Sequence, residues 1–237
     1  MARRRFSASS AAQLMTCVGS ADLVNSIPGW VDPVVDEEAG AKGKGHELHK
    51  IFAQISEYSA ADMRNIAEAV AYAAEIRALR RFTALIEMTL EAHWLQSKPQ
   101  TTVDLCLYVA DEIHILDWKT GKIPVDPAHN HQLLFYAATF LPFAPKAPGV
   151  HLHVVQPWAD GSTSWFASRQ DISQFMLEAL AAEQKILAGD PTRTPSDHCK
   201  FCPANPHSRG DKGSPLCPEM MQLLYPPSHD EAAILAL

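Results

Sequence analysis

Apolar positions recur along the chain with two different periods. Leu48, Ile51, Phe52 and Ile55 fall three and four apart within residues 37–56, and Ile66, Val70, Ala73, Ile76 and Leu79 keep that spacing through 60–81, so both stretches are expected to be amphipathic helices. The texture then changes. "FTALIEMTLEAHW", "TVDLCLYVAD" and "EIHILDW" are rich in β-formers with partial alternation, which predicts a three-strand meander whose last link is a tight hairpin at Asp111 and Glu112. "HQLLFYAATFL" predicts a helix, and "GVHLHVVQP" and "STSWFAS" predict two further strands. "DISQFMLEALAAEQKIL" predicts a closing helix capped by Asp171 or Ser173.

That order of elements argues an α/β fold, a mixed central sheet flanked by helices. From Gly189 onward periodicity gives way to Pro, Gly, Ser and Cys, and an irregular tail of this kind needs a staple other than a hydrophobic core. Three regions are expected: an N-terminal segment at 1–36, a core domain at 37–188 and a Cys-rich tail at 189–237.

With 237 residues, 47% of them hydrophobic, the chain is long enough for one sizeable core. Charges interrupt the apolar runs well before the roughly 18 residues of a membrane span. "MARRRFSASS" lacks the apolar segment of a secretory signal, so a cytoplasmic protein with no membrane partner is expected. A net charge of −7 means that bulk electrostatics would not drive the chain onto nucleic acid; a local basic patch or a bound metal would have to hold it. Arg3, Arg4, Arg5, Lys42, Lys44, Arg77, Arg80 and Arg81 are the available cations, and each also suits a solvated face or tail.

In a cytoplasmic chain, clustered cysteines point to metal or catalysis before disulfides. Of the five, Cys199 and Cys202 form "CKFC", and Cys217 follows after fourteen residues. Two thiolates so spaced can grip one ion or one cluster edge. For the fourth position Cys17 is the first candidate, with His198 and His207 as rivals that would favour zinc. Cys106 alternates within a strand and is expected to be a small buried hydrophobe.

Residues i and i+2 of a strand share a face, so Asp117 and Lys119 of "ILDWKTGK" point together, and Asp104 of the neighbouring strand can lie across from them. Converging carboxylates make a hard oxygen site suited to Mg²⁺ or Mn²⁺, beside which a lysine could orient or deprotonate a water. An exposed Asp and Lys closing a strand before a turn is the alternative. Gln132 and Tyr136, at i and i+4 on the next helix, add a polar pair able to face a phosphate or a base.

Taken in order, these residues resemble the PD-(D/E)XK nuclease superfamily, specifically its RecB-like branch. The matching positions are Gly45 with His49 in "GHELH", Asp104 in "TTVD", Asp117 with Lys119 in "DWK", and Gln132 with Tyr136 in "QLLFY". The likeness spans about residues 40–140, with Thr101 or Thr102 where a glycine is usual. Cys17, Cys199, Cys202 and Cys217 resemble the cysteines of the branch's iron-sulfur nucleases, those of the CRISPR-adaptation, AddB and phage type. The gap before Cys217 is longer than usual, which keeps structural zinc as the alternative.

The resemblance implies a restriction-endonuclease-like core acting as a metal-dependent deoxyribonuclease, with exonuclease action on single-stranded DNA or DNA ends in recombination, repair or phage DNA metabolism. His49, Asp104, Asp117 and the Trp118 carbonyl would hold Mg²⁺ or Mn²⁺. His46 is the alternative to His49, and Glu87 is a further candidate acid. Asp104, Asp117, Lys119, Gln132 and Tyr136 would form the catalytic set, and a 4Fe-4S cluster would clasp the chain's two ends. DNA is the expected partner, with a recombination or repair protein and a second copy of the chain left open. A different class stays in view: a non-catalytic DNA-binding or scaffold protein with a vestigial core and a structural metal.

Overall fold

The structure is a computed structural model that describes residues 6–27, 82–109, 111–119, 121–156, 159, 161–205 and 216–224. The helices expected over 37–56 and 60–81 lie outside the described residues, as do all eight of the basic residues named above.

Five strands form one sheet in the order β1-β2-β3-β4-β5: β1 Phe82–Glu91, β2 Gln100–Val109, β3 Glu112–Trp118, β4 Gly149–Gln156 and β5 Gly161–Ser168. Pairing is antiparallel except between β3 and β4, which run parallel. A parallel neighbour cannot be reached through a hairpin. The chain makes the crossover with α3, His131–Phe140, the helix predicted from "HQLLFYAATFL". Described helices precede the sheet at α1, Ala11–Thr16, and α2, Ser20–Asn25. Two more follow it at α4, Arg169–Leu187, and α5, Pro218–Leu224. The fold is α/β, a mixed sheet with flanking helices, as the element order led one to expect.

Three boundaries differ from the expectations. The first strand stops at Glu91: Ala92 N still donates to Pro99 O, but Pro99 has no N–H to return the bond, and Ala92 O instead accepts from Leu95 N in a turn. Glu112, expected in the hairpin link, already pairs with Val109 in the ladder. Helix α4 begins at Arg169, and Ser168 precedes it as the N-cap. The Ser168 hydroxyl accepts from Asp171 N at 3.2 Å while Asp171 Oδ2 accepts from Ser168 N at 2.8 Å, the reciprocal pair of a capping box. Asp171 thus works three residues inside the helix it was expected to precede.

The only partial alternation of the strands has a packing cause. β3 is buried at every position after Glu112, and β4 at all but His151, so these strands carry apolar side chains on both faces. Cys106 is fully buried in β2 as expected, and that burial pushes its thiol up to about 12. On the α3 side, Trp94 packs against Phe135 and Phe175 and donates to Thr139 Oγ1 at 3.2 Å.

The chain divides into two compact units. One, Ser7–Ala11 with Pro33–Leu180, holds the sheet and α3. The other joins Met1–Phe6, Ala12–Asp32 and Ala181–Leu237. The first cysteine and the last three therefore belong to the same unit.

Candidate active site

The β2–β3 ladder pairs Leu105 with Leu116, and the next step of that register sets Asp104 against Asp117. Both carboxylates are buried, Asp117 at 2% exposure. Regular pairing gives way here to a side-chain bond: Asp104 Oδ2 accepts from Trp118 N at 2.7 Å, which ties the acid to the backbone between Asp117 and Lys119. Trp118 itself is buried on the opposite face.

Lys119 turns back along Asp117, its Nζ 2.7 Å from Asp117 Oδ2. Gln132, in the first turn of α3, contacts both. Its Oε1 accepts from Lys119 Nζ at 2.8 Å, and its Nε2 donates to Asp117 Oδ1 at 3.2 Å and to Tyr136 OH at 2.8 Å. The helix start is set by Asn130, whose side chain accepts from the amides of Gln132 and Leu133. One cap therefore places Gln132, and helical periodicity then places Tyr136 one turn on.

Glu87 belongs beside this group. Ile86 pairs with Leu105 and Met88 with Val103, so Glu87 falls opposite Asp104 in β1. Its φ of 48° departs from the strand conformation, an uncommon state for a residue with a β-carbon. The Tyr136 hydroxyl senses all three acids: its pKa is driven well above the usual value by burial first, then by Asp117, Asp104 and Glu87. His46 and His49 lie outside the described residues.

A side chain that the sequence reading passed over organises the loop after β3. Gln156, buried at the end of β4, donates from Nε2 to Gly121 O and Ile123 O, each at 2.8 Å, and accepts from Val125 N at 3.0 Å. A glutamine closing the apolar run "HLHVVQ" is the signal that pointed to it.

A second group also escaped the sequence reading. His114 in β3 and His151 in β4 are register partners with rings stacked 4.6 Å apart, and His114 Nδ1 lies 3.2 Å from His153 Nε2. Alternate histidines in "HLH", facing one in "EIHIL", were the available signal. Burial, then His114 and His151, push His153 down to about 3; burial, then His151, also lower His114, against the pull of Glu112.

In the second unit, Cys199, Cys202 and Cys217 pack in one buried cluster with Val24, Ala204 and Met220. Leu216 N donates to Ala204 O at 2.9 Å, which closes the long gap and returns the chain beside "CKFC". Cys17 is buried, and its Sγ accepts from Thr194 N at 3.3 Å. The 191–194 segment runs along the residues after Cys17, where Gly19 N donates to Thr192 O. All five cysteines are free thiols, and burial first of all pushes Cys217 up to about 11. His198 Nε2 is 3.8 Å from Cys199 Sγ, while His207 lies outside the described residues.

The chain belongs to the DUF2800 family, a family described as proteins of unknown function, whose model matches residues 36–234. No curated protein matches it. Among solved structures it is similar to one described as SSO0001, with 14% identity over 68% of this chain and 76% of that one, at a TM-score of 0.35. Among the described residues, no helix is long and apolar enough to cross a membrane.

Proposed function

We propose that this chain is a metal-dependent deoxyribonuclease of the PD-(D/E)XK type. The single observation that carries this reading is the junction of Asp117, Lys119, Gln132 and Tyr136 in one hydrogen-bonded network beside Asp104. The donor set fits a hard divalent cation. Asp104 and Asp117 offer buried carboxylate oxygens side by side, the hard ligands that such an ion takes.

Asp104 and Asp117, with His49 or alternatively His46, the Trp118 carbonyl and Glu87 as a further candidate acid, would hold Mg²⁺ or Mn²⁺, which when bound polarises a phosphodiester and makes water a stronger nucleophile. The remaining work falls to the chain's own groups. Lys119, 27% exposed at its side chain, presents donors at the solvent side of the pair and can hold a water or a phosphate oxygen. Gln132 fixes the direction of both Lys119 and Asp117. The Tyr136 hydroxyl stays protonated and acts as a hydrogen-bond partner, not as a base. Action on single strands or DNA ends, in recombination, repair or phage DNA metabolism, completes the proposal.

Cys17, Cys199, Cys202 and Cys217 would hold a 4Fe-4S cluster, with structural zinc as the alternative. Buried thiols from both ends of the chain, one already accepting a backbone N–H, suit a sulfur-ligated group. Anaerobically purified protein should then be brown, with stoichiometric iron and sulfide; a colourless protein carrying one zinc decides for the alternative.

The test is cleavage of 5′- and 3′-labelled single- and double-stranded DNA in Mg²⁺ and in Mn²⁺. Wild type should cut, and Asp117→Asn should fold normally and leave the substrate intact. Wild-type protein inert on both substrates with both metals sinks the nuclease, and retained DNA binding would then favour the scaffold class.

A further inference from the structure

Alternation along β3 sends Glu112 and His114 to the face of the sheet opposite Asp117, and the parallel register brings His151 of β4 beside His114. One ligand atom from each of the three residues lies within 4.8 Å of the other two. Glu112 is exposed, His151 half-buried and His114 buried, so the group runs from solvent into the sheet.

His114 supplies a second, independent observation. Its exposure is 6%, and its Nε2 atom has no hydrogen-bond partner although Glu112 Oε2 lies only 3.5 Å away. A buried ring nitrogen in that state calls for an explanation. On the other side of the ring, Nδ1 is engaged with His153 Nε2 at 3.2 Å. If His114 Nδ1–H is the donor there, the Nε2 lone pair faces a carboxylate oxygen, two acceptors turned toward each other. A cation between them removes the conflict, and the Nδ1–H···His153 bond then becomes the outer contact that fixes a ligating imidazole.

Distance and chemistry select the ion. Zinc bonds of about 2.0–2.1 Å to nitrogen and oxygen in tetrahedral geometry set neighbouring ligand atoms about 3.3 Å apart, close to the 3.5 Å between Glu112 Oε2 and His114 Nε2. Two imidazoles and one carboxylate suit a borderline transition-metal ion better than Mg²⁺ or Ca²⁺. We propose that Glu112, His114 and His151 form a zinc-type divalent metal site on the sheet face opposite Asp104 and Asp117. The ion cross-links β3 to β4 at the parallel pair and keeps a coordination position open toward solvent, on the side where Glu112 and His151 are accessible. The site stands independently of the nuclease proposal.

The test is zinc binding by the full chain, read as zinc retained per chain and as the shift of the thermal midpoint on adding Zn²⁺, in wild type, His151→Ala and Glu112→Ala. Both variants leave Asp104, Asp117 and the cysteines in place, so any difference reports this site alone. Wild type should retain one zinc more than either variant, which should bind it at least about tenfold more weakly, and zinc should raise the midpoint of wild type more than that of the variants. Equal zinc content and equal shifts in all three proteins overturn the site. Should His151→Ala fail to fold, Glu112→Ala decides alone, because Glu112 is exposed at the start of its strand.

Discussion

Lys119 Nζ sits 2.7 Å from Asp117 Oδ2, and the two groups differ sharply in their access to water: the lysine side chain is 27% exposed and the aspartate 3%. Adjacent odd positions on one strand end therefore form an ion pair with a wet side and a dry side. The dry partner depends on the wet one.

Replacing Lys119 by methionine keeps most of the volume and removes the ammonium that lies 2.7 Å from the buried Asp117 carboxylate. Stability should fall by roughly 2–3 kcal/mol, below the cost for a fully buried pair because the ammonium keeps part of its hydration. The double variant Asp117→Asn/Lys119→Met should recover part of that loss, since no stranded charge remains. Urea denaturation of the two variants and wild type measures both effects. A Lys119→Met protein as stable as wild type would show that the pair does not hold the site.

Gln156→Ala tests the loop that follows the same strand. Three hydrogen bonds reach from one buried amide to Gly121, Ile123 and Val125, and their loss together with the cavity should cost about 2–4 kcal/mol. The 121–125 segment should also become the first site of limited proteolysis, read by mass spectrometry of the early fragments. If the loop stays resistant, other contacts hold it.

Much of this arrangement is legible in the sequence, and the exceptions share a cause. The spacing of Asp117 and Lys119, and of Gln132 and Tyr136, follows from period two in a strand and i, i+4 in a helix, so local geometry alone puts each pair on one face. The contacts of Gln156 span more than thirty residues. The meeting of His114 with His151 depends on the parallel register that the α3 crossover creates, which no local pattern encodes. The helix cap was misplaced for a smaller reason. Both Ser168 and Asp171 are cap formers, and only the reciprocal bond shows which stands outside the helix.

That cap has a pH signature. Asp171 is held below the usual carboxylate value, first by the Ser168 hydroxyl and then by the Ser168 amide, with His129 adding to the effect. A carboxyl with a depressed folded-state pKa contributes stability above its unfolded value, and the contribution is lost as pH falls through the folded value. Asp171→Ala should therefore lower stability near neutrality, by less than about 1 kcal/mol because the carboxyl is screened by solvent. The gap from wild type should close progressively below about pH 4. Thermal midpoints from pH 7 to pH 3 follow it, and a gap that does not change with pH would assign the loss to helix packing instead of the ionised cap.

Gly19 carries the last prediction, because the 191–192 backbone passes directly over it. A β-carbon there would lie 2.4 Å from Pro191 O and 2.7 Å from Thr192 O, distances that real β-carbons do not reach. The obstructing atoms are backbone, so Gly19→Ala has to push the whole segment away and break the bond from Gly19 N to Thr192 O. Overpacking of this kind costs about 1–3 kcal/mol. The same segment carries Thr194, whose amide donates to Cys17 Sγ, so the displacement reaches the cysteine. The variant should lose stability and, if the four cysteines share a metal or cluster, should be purified with less of it per chain than wild type. Sheet formation should survive, because β1 to β5 belong to the other unit. Circular dichroism together with metal analysis separates the two effects. A Gly19→Ala protein with unchanged stability and unchanged metal content would mean that the N-terminal segment does not run against 191–192.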